Sequence, residues 1–305
     1  MIAGVETGGT KIICGLAENS APSELVDVIE LPTSTPAVAG ARIREFLDAR
    51  VDRIDAVGFA SFGPLDLDPS SPRFGSITAT TKPGWGDTGL SDLIGGRPMT
   101  LVSDVTGAAL GEAAYGAAAG LSDAAYVTVG TGIGVGAILS GVPVSATGHP
   151  ELGHLPVRRH PDDFFPGVCP FHGDCIEGLA SGPAMSARWK RPTRSLGTDH
   201  ALAVALEAYY LGQLLATVVY SLVPQRIVLG GGVLKIEGML TAARSAMVRE
   251  INGALGSAHP ATEPDAFVVP PRLGDHSGIL GALQLASIRV NSTTGASTVP
   301  LAAAG

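Results

Sequence analysis

The sequence predicts an α/β protein with an internally duplicated architecture, and three observations carry that prediction. Apolar strand-like runs alternate with amphipathic helices along most of the 305 residues. A device of strand, Thr/Gly turn and strand occurs twice, at residues 4–15 and 125–139, about 125 residues apart. Apolar strands end in glycine turns, the place where ligand crevices form in α/β sheets.

The first element is a hairpin. Gly4-Val5-Glu6-Thr7-Gly8-Gly9-Thr10-Lys11-Ile12-Ile13-Cys14-Gly15 reads as two short strands around a Gly-Gly turn, whose plainest form is type I′. Residues 39–50 carry a helical period with Ile43, Phe46 and Leu47 on one face. Residues 56–60 form a short apolar strand that enters the turn Ser61-Phe62-Gly63-Pro64. Residues 66–98, rich in Asp, Pro, Gly and Ser, read as an elaborated loop. Residues 99–103 are the next strand, with Asp104 at its C-terminal end, and 107–115 a helix of small residues. After the second hairpin a long helix spans 199–222, and the strand 226–229 is stopped by Gly230-Gly231-Gly232. A helix at 236–254, a strand at 266–269 and a helix at 276–289 follow, and 290–305 reads as a flexible tail.

Composition narrows the function classes. Twenty Lys and Arg against 28 Asp and Glu give a net charge of −8, with no basic stripe. That disfavours a nucleic-acid partner, whose phosphates are bound by neutralisation. A phosphorylated small molecule stays open, because backbone N–H groups at glycine turns bind anions without net basic charge. No secretory signal opens the chain, and no apolar run reads as long enough to span a bilayer, so the expected location is cytoplasmic with no membrane partner. Cys14 sits in an apolar stretch as a small hydrophobe, and three cysteines are an odd count for a disulfide framework.

Each glycine turn has an ordinary explanation as a hairpin or loop. Three of them after apolar strands, two with a threonine hydroxyl (Thr10, Thr131) and one with Lys11, also suit a phosphate chain. None matches the P-loop pattern, which excludes a P-loop nucleotidase. Asp104 can be a helix N-cap or a general base that takes a proton from an attacking hydroxyl. Cys169-Pro170-Phe171-His172-Gly173-Asp174-Cys175 has the spacing C-x2-H-x2-C, and His154 lies fifteen residues upstream. Together His154, Cys169, His172 and Cys175 supply the two imidazoles and two thiolates of a tetrahedral structural zinc site. His160 and Asp174 compete for the fourth place. The spacing is too wide for a C-x-x-C redox pair. Zinc here would pin a loop carrying Glu151, His154 and Glu177, groups that grip sugar hydroxyls.

The order Glu6-Thr7-Gly8-Gly9-Thr10-Lys11, Asp104, Gly130-Thr131-Gly132-Ile133-Gly134, Glu151-Leu152-Gly153-His154 and the Cys/His cluster resembles the ROK family of sugar kinases and related repressors. The segment from Cys169 to Pro183, and Lys82-Pro83-Gly84-Trp85, look most like its bacterial fructokinase branch. The resemblance implies an actin-like ATPase fold, that is, two ribonuclease-H-like lobes with the active site in the cleft between them. A small lobe (1–113, with the helix at 276–289 packing back near it) and a large lobe (114–275, holding the zinc loop 151–183) are expected. It implies ATP and Mg²⁺ against Glu6, Gly8, Gly9, Thr10, Lys11, Thr131, Gly132, Gly230, Gly231 and Gly232, with the adenine framed by the helix start near Pro183. It implies Asp104 as catalytic base, a hexose held by Glu151, His154 and Glu177 near Ser103, Gly63 and Pro64, and a homodimer. Position 103 is Ser where many ROK kinases have Asn, and position 6 is Glu where the wider actin-like group favours Asp. The expected activity is phosphorylation of D-fructose to fructose 6-phosphate. Glucose, mannose and N-acetylhexosamines are the rival substrates. A non-catalytic sugar-binding ROK regulator is the rival class, although such repressors carry an N-terminal DNA-binding module and here the first hairpin begins at Ile2.

Overall fold

In a computed structural model, which describes residues 1–50 and 54–293, the first hairpin forms as the sequence suggests. β1 (Ile2–Thr7) and β2 (Lys11–Ala17) pair antiparallel. β3 (Leu25–Pro32) adds to β2 and was not anticipated. No residue of this strand is buried, and its Asp27 and Glu30 mask the apolar alternation. α1 (Pro36–Arg50) buries Ile43, Phe46 and Leu47 against Val5, Val57 and Phe59, the face that its period predicts. β4 (Ala56–Ser61) is buried at every position and lies parallel to β1. The loop that follows contains α2 (Leu90–Leu93), and β5 (Met99–Ser103) then runs parallel to β4 and feeds α3 (Asp104–Tyr115). The first sheet therefore has the order β3-β2-β1-β4-β5.

The second glycine hairpin is β6 (Ala124–Val129) and β7 (Ile133–Leu139), followed by β8 (Val142–Pro143). Two short helices, α4 (Ile176–Ala180) and α5 (Gly182–Trp189), precede the long α6 (His200–Leu222). β9 (Arg226–Gly230) lies parallel to β6. α7 (Met239–Ile251) is shorter at both ends than the segment 236–254. Gly238 before it has φ +79°, and Asn252 after it is left-handed, which stops the helix. α8 (Pro264–Phe267) takes up half of the stretch read as a strand, leaving β10 (Val268–Val269). Pro264 at the first turn explains why a helical turn wins there. The second sheet has the order β10-β9-β6-β7-β8. α9 (Ser277–Thr293) runs four residues into the segment read as a tail, and residues 294–305 lie outside the described residues.

Packing divides the chain into two units, one of Met1–Ser122, Gly136–Pro150 and Arg272–Gly305, the other of Asp123–Val135 and Glu151–Pro271. In the first, α9 lies on β1, β4 and α3 at backbone distance. A Cβ on Gly58 would sit 1.7 Å from the Ala282 carbonyl oxygen, and one on Gly281 would sit 1.8 Å from that of Gly107. Cys14 is fully buried there, and burial pushes its thiol up to about 12, as suits a small hydrophobe. In the second unit α6 packs along α7 and buries Tyr210, Leu211, Leu214, Leu215 and Val218. The stretch Gly197–Leu222, which contains α6, is long and apolar enough by composition to cross a bilayer, contrary to the sequence expectation. The reason is its place in the core: most of that stretch is covered by the protein itself.

Candidate active site

In the first unit the turn between β1 and β2 is held by its neighbours. The Gly8 N–H donates to the Lys11 carbonyl (2.8 Å), and the Thr33 hydroxyl and N–H donate to the carbonyls of Gly8 (2.7 Å) and Thr10 (3.0 Å). Neither Gly8 nor Gly9 has a positive φ, so the turn is not the type I′ form that Gly-Gly suggests. These glycines are therefore not explained by backbone conformation. Nothing lies within 4 Å of the Cβ position at Gly9, so the turn presents open backbone. Thr10 is exposed, and the Lys11 ammonium is paired with Glu30 at 3.0 Å, which raises its pKa.

Asp104 is the first residue of α3, directly after β5, and it is not the N-cap. Ser103 fills that role: its buried hydroxyl oxygen accepts from the Thr106 N–H (3.2 Å) and its O–H donates to Thr106 Oγ1 (2.8 Å). The hydroxyl at position 103, read as a sugar contact, is thus engaged in its own helix. Asp104 Oδ1 accepts the Val105 N–H at 2.8 Å. Burial pushes the Asp104 carboxyl up to about 6, partly offset by hydrogen bonds from the backbone. Glu6, on β1, is pushed up to about 7, first by burial and then by the charge of Asp104, with Lys11 opposing and Asp275 adding. Glu6 Oε2 is buried and has no hydrogen-bond partner. Gly278 of α9 makes room for that carboxyl, since a Cβ there would lie 2.4 Å from Glu6 Oε1. The unpartnered Glu6 Oε2, with the charge of Asp104 acting on the same carboxyl, suits a cation.

The Gly63-Pro64 turn lies against His149, a residue that sequence reasoning missed. His149 Nε2 accepts the Leu65 N–H at 3.3 Å, and a Cβ on Gly63 would be 2.7 Å from the same nitrogen. Burial lowers the His149 pKa, which keeps the ring neutral and able to accept. No local period marks this histidine; only its place two residues before Glu151 hinted at a role.

In the second unit two glycine turns lie side by side at the C-terminal ends of the parallel strands β6 and β9. The Cβ position of Gly130 is 3.9 Å from the Gly232 nitrogen, and Gly231, at φ +97°, lies so close to Val129 that a Cβ would be 2.3 Å from its carbonyl oxygen. Any side chain at 231 is excluded twice, by conformation and by space. Glu177 of α4 braces the first turn: its Oε2 accepts the Ile133 N–H at 2.9 Å and would be 2.7 Å from a Cβ on Gly132. The Gly182 N–H donates to the Gly130 carbonyl at 2.8 Å, which ties the start of α5, with Pro183, to the same turn. Thr131 is exposed at its tip. A cavity of about 430 Å³ opens next to Gly232 and is lined also by Thr193, Leu196, His200, Lys235 and Glu237.

The Cys/His cluster assembles in this unit. The ligand atoms of His154, Cys169, His172 and Cys175 all lie within 4.8 Å of one another. Both cysteine sulfurs approach His154 Nδ1, at 3.7 Å and 3.6 Å, and Cys169 Sγ lies 3.9 Å from His172 Nδ1. A tetrahedron with ordinary Zn–S and Zn–N bonds has S···N edges of roughly 3.5 Å, so the donors fit such an ion. The rivals lie elsewhere: His160 meets the Tyr209 ring edge-on, and Asp174 pairs with Arg159 at 3.1 Å. Since Nδ1 of His154 faces the sulfurs, the opposite edge of its ring is turned away from them. The His154 N–H donates to the Glu151 carbonyl at 3.0 Å in a 3₁₀ turn, and Glu151 is exposed.

Comparison with known proteins places the chain in a family. The ROK family model matches residues 2–289. A fructokinase of Zymomonas mobilis is 39% identical over 291 residues, covering 92% of this chain and 95% of its own. The solved ROK hexokinase from Thermus thermophilus is 32% identical with a TM-score of 0.75, over 95% of this chain and 99% of its own. A ROK glucokinase from Streptomyces griseus, solved with glucose and AMPPNP, shares the fold at a TM-score of 0.71 and 23% identity, over 93% and 98% of the two chains. The fold is accordingly the actin-like one of these sugar kinases. On sequence and on structure, the chain belongs to the ROK family.

Proposed function

We propose that this chain is an ATP-dependent hexose kinase that phosphorylates D-fructose at O6. The observation that carries the reading is Asp104. It is a carboxylate at the C-terminal end of β5, relieved of capping by Ser103, and raised to about 6. A base of that pKa is mostly ionised at neutral pH yet basic enough to accept a hydroxyl proton. The proton of the sugar hydroxyl passes to Asp104, and the oxygen bonds to the γ-phosphorus as the bond to the departing ADP breaks. A regulator without catalysis would leave such a carboxylate without a task.

The open turns support binding of the nucleotide. The N–H groups of Gly9 and Thr10, and those around the Thr131-Gly132 and Gly230 to Gly232 turns, suit the phosphates, and the cavity beside Gly232 suits the base. Glu6, whose Oε2 is buried and unpartnered, would hold Mg²⁺, which when bound supplies charge neutralisation at the phosphates. Zinc at His154, Cys169, His172 and Cys175 is structural, because four protein ligands leave no open position. It holds the loop that presents Glu151, His154 and Glu177 to the sugar. Fructose is preferred among hexoses on the strength of the Zymomonas relative. Exposed Phe164, Phe171 and Leu202 in the second unit give apolar surface for the homodimer that the family resemblance implies.

A coupled ADP-release assay over D-fructose, D-glucose, D-mannose and N-acetylhexosamines tests the substrate. The highest kcat/KM is expected for fructose; strong glucose turnover with little on fructose would reverse the assignment.

A further inference from the structure

The turn at Lys82-Pro83-Gly84-Trp85 has a construction that the proposed reaction has not yet used. The Trp85 N–H donates to the Lys82 carbonyl at 3.2 Å, and Gly84 has φ +78°. With Pro at the second position and Gly at the third, this is a type II turn, so the tetrapeptide dictates its own shape. Trp85 anchors it: the ring is fully buried, its indole N–H donates to the Ser34 carbonyl at 2.7 Å, and it meets Phe62 edge-on at 5.2 Å. Ser34 follows Thr33, whose own hydrogen bonds hold the Gly8–Thr10 turn. From this support Lys82 reaches 73 positions back along the chain, and its ammonium donates to the Gly9 carbonyl at 2.6 Å. An ammonium has three donors. One is spent on Gly9, and among the described residues no carboxylate pairs with it. Lys11, the lysine that sequence alone assigns to the phosphates, is by contrast held by Glu30.

We propose that Lys82 is a further catalytic residue, positioned by the 82–85 turn to place its positive charge on the γ-phosphoryl group at the open Gly8–Thr10 turn. The proposal rests on the hexose-kinase reading. In the transfer, the sugar O6 forms its bond to the γ-phosphorus while the bond from that phosphorus to the bridging oxygen breaks. The bonding pair leaves with ADP, and the hydroxyl proton goes to Asp104. Lys82 keeps its own protons throughout and balances negative charge on the γ-phosphoryl oxygens, where a fixed cation is worth most.

The test compares the full chain with Lys82→Met, Lys82→Arg and Lys82→Gln, by steady-state kinetics and by calorimetric binding of ADP and AMPPNP. Lys82→Met should lower kcat about 100-fold while the KM for the sugar stays within about twofold. It should weaken AMPPNP at least about tenfold more than ADP, because only AMPPNP carries the third phosphoryl group. Lys82→Arg should recover most of the loss, and Lys82→Gln, which can still donate to Gly9 but has no charge, should not. Recovery by Gln, or equal weakening of ADP and AMPPNP, would show that the lysine only braces the turn and would overturn the proposal. If the wild-type chain phosphorylates no hexose, the kinase reading fails while the nucleotide comparison still decides Lys82. Absence of nucleotide binding to the wild type overturns both.

Discussion

Asp104 and Ser103 divide two tasks that adjacent residues at a strand end usually share. Ser103 takes the cap, so the carboxylate beside it carries no structural duty beyond the Val105 N–H. Asp104→Asn should therefore lower kcat by about 10³-fold and leave the circular-dichroism spectrum unchanged; near-normal turnover would remove Asp104 from the chemistry. The same residue sets a pH dependence. The base must be ionised, so kcat/KM should rise as pH climbs through about 6 and level off above it. Stability runs the other way. A carboxyl raised in the folded state binds its proton more tightly there than in the unfolded chain, so its contribution is lost as pH rises from the ordinary carboxylate range through about 6. The Asn variant should thus melt higher than wild type at pH 8, and by less at pH 4. Local sequence could name Asp104 but could not choose between cap and base, because that choice depends on which hydroxyl the helix N–H groups find.

At the scale of elements, the glycines separate into kinds that sequence does not distinguish. Gly8 and Gly9 look like a type I′ pair and are not, whereas Gly58, Gly111 and Gly281 serve close approach between α9 and its neighbours. Gly58→Ala places a methyl 1.7 Å from the Ala282 carbonyl oxygen, on backbone that cannot give way. It should cost about 3 kcal/mol or more in urea unfolding; an unchanged midpoint would mean that α9 does not pack as described. The loop around the Cys/His cluster should depend on its ion. Metal analysis should find about one zinc per chain, lost in Cys175→Ser, with the KM for the sugar raised on the order of tenfold as the loop loosens. A metal-free chain with unchanged kinetics would refute the site. The cluster was legible because three of its ligands lie within seven residues. β3 was not, because an exposed edge strand with charged residues has no clean apolar alternation. His149 and the Glu6–Gly278 fit escaped for another reason: each joins segments far apart in sequence.

For the whole molecule, most elements were readable from periodicity and glycine punctuation, from the two hairpins to α6, β9 and α9. The boundaries that shifted did so where a single residue intervened, Pro264 opening a helical turn and Gly238 delaying α7. The turns of the two hairpins fall in different units, Gly8–Thr10 in the first and Gly130–Gly132 in the second, and the acids and the metal loop are likewise divided between the units. That distribution suits a transfer reaction with two substrates, in which the chain supplies position and charge and the phosphoryl group does the chemistry. The most direct test is the identity of the product. Incubation with ATP and D-fructose, followed by ³¹P and ¹³C NMR, should show fructose 6-phosphate formed in equal amount to ADP. Phosphate on another hydroxyl, or ADP and free phosphate without a sugar ester, would contradict the account.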